Sequence, residues 1–203
     1  LKKSYRNTVE ISDFAMGILR HGSFSVYPVD PINRHGSQVC ILPCEDEDAM
    51  LRETEHTIRG WKEKGWDTIA VICRDEGEAD WVKQKLGTRL PIADSSLETA
   101  EFGSGIMVLP VDYTKGLEFD AVLLYHPSET HYPTEDAYVK LLYVAATRAL
   151  HELTVVHQKD LTNLIAQAVP EKKRMKSLEQ IETEPEPETE MGQRDWQREA
   201  VLQ

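Results

Sequence analysis

Several features that would point to particular classes of protein are missing or scarce in this sequence. No apolar run approaches the roughly 18 residues of a transmembrane helix, so we expect no membrane-spanning segment. Only three cysteines occur among 203 residues, which fits a reducing cytoplasm better than a disulfide framework. Lys and Arg number 23 against 35 Asp and Glu, and the net charge of -12 argues against general electrostatic wrapping of nucleic acid. One local basic stripe remains compatible with that balance.

The cysteines also bear on metal binding. Cys40 and Cys44 could be two metal ligands, but no second pair with matching spacing follows them. We therefore interpret the cysteines, Cys73 included, as small buried core residues, and we assign no metal ligands to this sequence. The chain begins with Leu1 rather than Met, so we interpret it as a piece of a longer polypeptide.

Apolar spacing predicts strands that alternate with helices. The predicted strands are 38–43, 68–73, 105–109, 119–125 and 152–157, and the predicted helices are 7–22, 45–64, about 79–86, 134–149 and 160–168. Alternation of this kind is typical of an α/β fold, in which helices cover both faces of a parallel sheet. Ligands of such sheets bind beyond the carboxyl ends of the strands, so the loops there deserve the closest reading.

Two terminal regions have distinct local signals. Asn7 and Glu10 have the spacing of a capping box that begins the first helix. Residues 170–203 are rich in acidic residues and poor in apolar ones, so we predict a disordered tail after a domain formed by residues 1–169. Within the tail, residues 193–203 could dock elsewhere as a short peptide, although a fraying terminus is the favoured interpretation.

Three segments carry residue types that suit nucleotide chemistry. They are Ser4-Tyr5-Arg6-Asn7, Thr114-Lys115-Gly116-Leu117-Glu118-Phe119-Asp120 and Tyr143-Val144-Ala145-Ala146-Thr147-Arg148-Ala149. A glycine in a loop lets backbone N–H groups approach a phosphate closely, and a nearby carboxylate can bind a ribose. The forked guanidinium of arginine suits phosphate oxygens.

Each of these residues also has an ordinary structural interpretation. An arginine at a helix end, such as Arg148, commonly caps carbonyl groups or pairs with a carboxylate. The Lys115–Glu118 stretch could be a simple turn, and Tyr138 and Tyr143 fit a core position better than a base-stacking one. Considered separately, the segments leave both interpretations open.

Taken together and in order, the three segments resemble motifs four, five and six of UvrD/Rep-like superfamily-one helicases. The matching text is SYRNTVEISDFA, TKGLEFDAVLLY and LLYVAATRALHEL, and the resemblance extends over most of residues 1–158. It implies the second RecA-like domain of such a motor, with the parallel sheet of P-loop NTPases. It also implies a cytoplasmic, ATP-hydrolysing enzyme that acts on single-stranded nucleic acid, with DNA as the expected substrate.

The resemblance assigns roles to individual residues. It implies that Tyr5 stacks on adenine and that Arg6 reaches the terminal phosphate of ATP. Lys115, Gly116 and Glu118 would lie beside the sugar and phosphates. Arg148 would be the arginine finger, which stabilises the charge of the transferring phosphoryl group.

The sequence contains no G-x-x-x-x-G-K-[ST] phosphate loop and no strand that ends in Asp-Glu. The phosphate cradle and the ligands of the ATP-bound Mg²⁺ are therefore expected in an N-terminal RecA-like half of the same polypeptide. We expect this chain alone to be inactive.

Two departures from the usual pattern raise an alternative. Only residues 94–104 are available where UvrD/Rep enzymes insert a large subdomain, and Asp112 stands where a histidine usually contacts DNA. Both features resemble HelD-like proteins, whose motor acts on RNA polymerase. The alternative function is therefore a remodelling module that binds RNA polymerase without unwinding DNA.

Overall fold

The computed structural model describes residues 7–25, 33–93 and 105–166. The strands are β1 (Cys40–Pro43), β2 (Thr68–Cys73), β3 (Gly105–Pro110), β4 (Phe119–Tyr125) and β5 (Ala149–His157). The helices are α1 (Val9–Leu19), α2 (Glu47–Glu63), α3 (Glu76–Gly87), α4 (Asp136–Ala146) and α5 (Asn163–Ala166), and Val111–Tyr113 form one 3₁₀ turn. All five strands pair in parallel, in the order β1-β5-β4-β2-β3. Within the described residues, no helix combines the length and apolar character that a membrane crossing requires.

Helices cover both faces of the sheet. One apolar core contains buried residues of α1, α4 and α5, and the other contains buried residues of α2 and α3. The strand β2 contributes to both, because Ala70 and Ile72 face the first core while Ile69, Val71 and Cys73 face the second. A strand buried on both faces explains the continuous apolar run in the sequence. The predicted α/β class with a two-sided parallel sheet is thereby confirmed.

The predicted capping box of α1 is wrong. Thr8 is the N-cap, and its hydroxyl accepts a hydrogen bond from the backbone N–H of Ile11 at 3.4 Å. The carboxylate of Glu10 instead accepts from the backbone N–H of Gly36 at 2.9 Å and contacts His35. The side chain of Asn7 makes other hydrogen bonds, so Thr8 takes the capping position. The helix ends at Leu19, three residues before the predicted end.

Sequence patterns located the other elements but not all of their ends. The predicted helix 134–149 begins too early and ends too late, because α4 spans only Asp136–Ala146. The hydroxyl of Thr147 donates to the carbonyl oxygen of Tyr143 at 2.9 Å, which closes the helix. Ala149 already belongs to β5, three residues before the predicted strand start, and pairs with Phe119 of β4.

The connection from β3 to β4 is short and contains no α-helix. Pro110 at the end of β3 is level with Cys73, whereas β4 begins level with the start of β2. Residues 111–118 therefore run back along the full length of the sheet. Their first part lies near the carboxyl ends of the strands and their last part lies at the amino ends.

The cysteines occupy unlike environments. Cys44 and Cys73 are buried as expected, but Cys40 is exposed, so that part of the prediction is wrong. Cys40 begins β1 and Cys44 follows its last residue. Four residues of extended chain cover about 13 Å, so these two thiols cannot share one metal ion.

Candidate functional site

The start of α1 is fixed to the amino end of β5 through Asn7. This side chain is buried, and its amide nitrogen donates to the carbonyl oxygens of Thr147 at 2.9 Å and Ala149 at 2.5 Å. Those two carbonyls flank Arg148 on either side. The first predicted segment is thus tied to the third by a contact that the sequence interpretation, which used Asn7 as a helix cap, did not foresee. Tyr5 and Arg6 lie outside the described residues.

The Lys-Gly-Leu-Glu stretch forms a tight turn before β4. The backbone N–H of Leu117 donates to the carbonyl oxygen of Thr114 at 3.0 Å, and Gly116, third in this turn, has a φ of 81°. A glycine is favoured there because type II turns need a positive φ at their third residue. A side chain at Gly116 would meet no atom within 4 Å, so the backbone angle and not crowding requires the glycine.

The turn rests on a buried threonine. The hydroxyl of Thr114 donates to the carbonyl oxygen of Val111 at 2.7 Å, and both residues are inaccessible or nearly so. Lys115 and Glu118 on either side of Gly116 and Leu117 are exposed. The turn therefore presents one cation and one anion to solvent from a rigid support.

The side chain of Arg148 joins the second and third segments. Its Nε donates to the carbonyl oxygen of Val144 at 3.0 Å, its Nη1 to that of Leu117 at 3.1 Å, and its Nη2 to the hydroxyl of Thr147 at 3.4 Å. The backbone adds a further link, because the N–H of Phe119 donates to the carbonyl oxygen of Arg148 at 2.9 Å. The helix-capping role that the sequence left open is the arrangement found in the structure.

That arrangement leaves part of the guanidinium available. A guanidinium has five N–H groups, and the bonds above use three of them. The remaining two, one on each terminal nitrogen of Arg148, have no acceptor among residues 7–25, 33–93 and 105–166. Arg148 can therefore hold the turn and still donate to an anion.

All the described site residues lie at the amino ends of β4 and β5. Gly116 precedes β4, Arg148 precedes β5, and Phe119 and Ala149 pair across the two strands. The sequence interpretation, which looked to the carboxyl ends of strands, is wrong on this point. The short connection from β3 carries the turn back across the sheet, and this explains the difference.

A polar cluster continues along the same edge. The indole of Trp66 stacks on the ring of His151, with centroids 4.4 Å apart and an angle of 8° between the planes. Glu152 accepts hydrogen bonds from Lys64 at 2.8 Å and from the indole N–H of Trp66 at 2.5 Å. Burial opposes ionisation of Glu152, but these hydrogen bonds outweigh it and lower its pKa. No motif in the sequence pointed to this cluster.

At the opposite edge, two residues just before the turn are exposed, and one of them is acidic. The side chain of Asp112 is 67% exposed, and its carboxylate lies 3.9 Å from Nη1 of Arg74. Tyr113 is 59% exposed, and its hydroxyl donates to Glu76 at 3.0 Å. This part of the connection adds negative charge, not positive charge, to the surface.

Residues 105–156 match the family model of the UvrD-like helicase C-terminal domain. The matched segment contains the turn at Lys115–Glu118 and Arg148, and it spans the strands β3 and β4 and almost all of β5. The match therefore includes the segments joined by Arg148.

A solved structure gives a broader comparison. The C-terminal domain of a possible DNA helicase from Lactobacillus plantarum WCFS1 is similar, with 27% sequence identity and a TM-score of 0.68. The similarity covers 83% of this chain and 96% of that domain. No curated protein sequence matches this chain. Together, the match and the neighbour support a domain of the helicase C-terminal type.

Proposed function

We propose that this chain is the C-terminal motor domain of a superfamily-one, ATP-dependent DNA helicase or translocase. In this proposal it supplies one side of an ATP site, and an N-terminal RecA-like half of the same polypeptide supplies the phosphate loop and the Mg²⁺ ligands. The proposal rests on two sets of hydrogen bonds at Arg148. Asn7 binds the carbonyls on both sides of it, and its guanidinium binds the turn at Leu117.

These ties support the convergence of the predicted nucleotide contacts. Asn7, the last residue of the first predicted segment, is held beside Arg148 by its hydrogen bonds to the carbonyls of Thr147 and Ala149. The guanidinium groups of Arg6 and Arg148 would then serve one triphosphate, with Tyr5 against the base and Gly116 and Glu118 near the sugar. The two N–H groups of Arg148 that remain available are the donors for the phosphate oxygens.

The domain would act because the closed and open arrangements of the two halves bind the nucleotide with different affinities. Charge that develops on the transferring phosphoryl group is stabilised by guanidinium groups held in place beforehand. Binding of ATP would favour the closed arrangement of the two halves, and hydrolysis would favour the open one. That cycle would move the protein along single-stranded DNA.

The test is Arg148→Ala in the polypeptide that carries both halves. ATP turnover should fall by at least about a thousandfold, while ATP binding changes much less. Because Arg148 also caps α4, thermal unfolding must show that the variant is folded. Arg59→Ala is a matched control, since Arg59 is an exposed arginine of α2 that pairs with Glu55. Near-normal turnover in Arg148→Ala would rule out the arginine-finger role.

A second measurement tests the half-site. Residues 1–203 alone should bind ATP feebly in equilibrium dialysis, because nothing in the sequence forms a phosphate loop. Micromolar affinity for the isolated chain would overturn the proposal that the site is shared.

A second candidate function is a remodelling module that binds RNA polymerase. The exposure of Asp112 favours it, because an exposed carboxylate in the connection from β3 to β4 repels the phosphates of a nucleic-acid strand. This candidate predicts that the chain binds RNA polymerase without nucleotide and that Asp112→His does not strengthen that binding. A gain in affinity for single-stranded DNA in Asp112→His would favour the translocase instead.

A further inference from the structure

A second group of side chains converges at the carboxyl ends of the strands, away from Arg148. Glu78 lies in the first turn of α3, His126 follows β4, and His131 lies in the connection from β4 to α4. One carboxylate oxygen and one nitrogen from each ring all lie within 4.8 Å of one another. All three side chains are largely buried, with 14%, 21% and 23% exposure respectively.

The distances inside this cluster do not fit direct hydrogen bonds. Oε2 of Glu78 lies 3.9 Å from Nδ1 of His126 and 3.7 Å from Nδ1 of His131. A separation of about 3.6 Å or more between nitrogen and oxygen is too long for a hydrogen bond. Ligand atoms that share one tetrahedral Zn²⁺, by contrast, lie about 3.3 Å apart, as follows from bonds of about 2.0 Å. Oε2 of Glu78 and Nδ1 of His126 thus face each other across a gap that small movements would adapt to a metal ion.

Each ring also has a partner that would orient it as a metal ligand. Nε2 of His126 lies 3.2 Å from Oδ1 of Asp160, and Nδ1 of His131 lies 2.9 Å from the carbonyl oxygen of His126. Metal-binding histidines commonly donate their second N–H to a carboxylate or a backbone carbonyl. With those N–H groups engaged, Nδ1 of His126 carries a lone pair toward Glu78, whereas Nδ1 of His131 holds the proton that it donates to the carbonyl, so His131 would bind the ion through Nε2.

The backbone and Arg74 hold the cluster in place. His126 has a φ of 49°, an uncommon value for a residue other than glycine. Oε1 of Glu78 accepts from the backbone N–H of Arg74 at 3.0 Å, which leaves Oε2 toward the rings. The guanidinium of Arg74 donates through Nε to the carbonyl oxygen of His131 at 3.1 Å. The loops after β2 and β4 are therefore fixed before any ion arrives.

We propose that Glu78, His126 and His131 form a binding site for Zn²⁺, with Asp160 as the residue that orients His126. Two imidazoles and one carboxylate suit Zn²⁺, and the fourth position would hold water. The ion would link the segment after β2 to the segment after β4. Through its contact with His126, Asp160 would connect the segment after β5 to the same site. The site is separate from the nucleotide contacts, so the proposal does not depend on the proposed function.

The experiment is a titration of the whole, chelator-treated chain with Zn²⁺, followed by calorimetry and by thermal unfolding. We expect one equivalent to bind and to raise the unfolding temperature. The variants Glu78→Gln, His126→Asn and His131→Gln should each weaken binding by at least about tenfold, and Asp160→Asn should weaken it by about tenfold. His126→Asn suits the site because asparagine tolerates a positive φ.

His56→Gln is the matched control, since His56 is an exposed histidine on α2 and its loss should leave the affinity unchanged. Co²⁺ offers an independent readout, because its visible spectrum reports imidazole and carboxylate ligation in the wild type and should be lost in His131→Gln. Absence of one-equivalent binding, or equal affinity in the folded His126 and His131 variants, would overturn the proposal. Circular dichroism of each variant without metal establishes that it is folded.

Discussion

The two edges of the sheet are built differently. At the amino edge, Asn7 and Arg148 make direct hydrogen bonds of 2.5–3.4 Å to backbone carbonyls and to the Thr147 hydroxyl, and these bonds join three distant segments. At the carboxyl edge, Glu78 faces two histidines at 3.7–3.9 Å, beyond hydrogen-bond reach. The amino edge is therefore a finished framework that needs no ligand to hold its shape. The carboxyl edge carries the side chains of the proposed metal site, which are oriented by their neighbours but are not hydrogen-bonded to one another.

Among the variants that test this contrast, Asn7→Ala should have the largest effect on stability. Both acceptor carbonyls lie in a buried region, and an unsatisfied buried polar group costs about 1–3 kcal/mol. We expect the free energy of unfolding to fall by about 2–4 kcal/mol in denaturant titrations. Asn33→Ala is the control, because Asn33 is exposed and should change stability by less than about 0.5 kcal/mol. A loss of similar size in both variants would show that Asn7 does not hold the edge together.

Gly116→Ala should have a smaller effect that depends only on the backbone. The φ of 81° strains any side chain, although no atom lies within 4 Å of the added methyl group. We expect a loss of about 1–2 kcal/mol in the free energy of unfolding.

Gly60→Ala makes an informative comparison for that variant. Gly60 lies inside α2, and an added methyl group there also meets no atom within 4 Å. Because its φ is not positive, alanine should stabilise the protein by about 0.5–1 kcal/mol. Thermal unfolding of the two variants should therefore show shifts of opposite sign. Shifts of the same sign would contradict the assignment of strain to Gly116.

The smallest effect is expected at the carboxyl edge, from His126→Asn in metal-free protein. The 3.9 Å separation from Glu78 contributes no hydrogen bond, and the partner Asp160 is 52% exposed. Such ion pairs contribute about 0–1 kcal/mol, so we expect a loss of less than about 1 kcal/mol in denaturant titrations. A loss as large as that of Asn7→Ala would show that the carboxyl edge is already a finished framework without an ion.

The sequence predicted the fold more fully than the site. The run Thr68–Cys73 and the helix with Ala79, Val82 and Leu86 were located correctly, because apolar periodicity reflects burial directly. The expected roles of Lys115, Gly116, Glu118 and Arg148 stay predictions, and the structure adds that the turn and Arg148 are in contact.

What the sequence could not show were contacts between distant residues. Asparagine is a residue type that commonly caps helices, so the sequence favours that role for Asn7. Only the folded chain brings Asn7 to carbonyls more than a hundred positions away. Glu78, His126 and His131 likewise have no spacing that signals a metal site. The stack of Trp66 on His151 depends on strand order, which local periodicity does not encode.

The length of the connection from β3 to β4 limits how far its two ends can move. A six-residue strand measures about 20 Å, and eight extended residues reach at most about 29 Å. Residues 111–118 must cover that depth while also forming a 3₁₀ turn and the bend at Gly116. Little extra length remains, so the two ends of this connection cannot shift independently of each other. Deleting residues there would pull β4 out of register, whereas exchanging the exposed side chains would leave the strand in place.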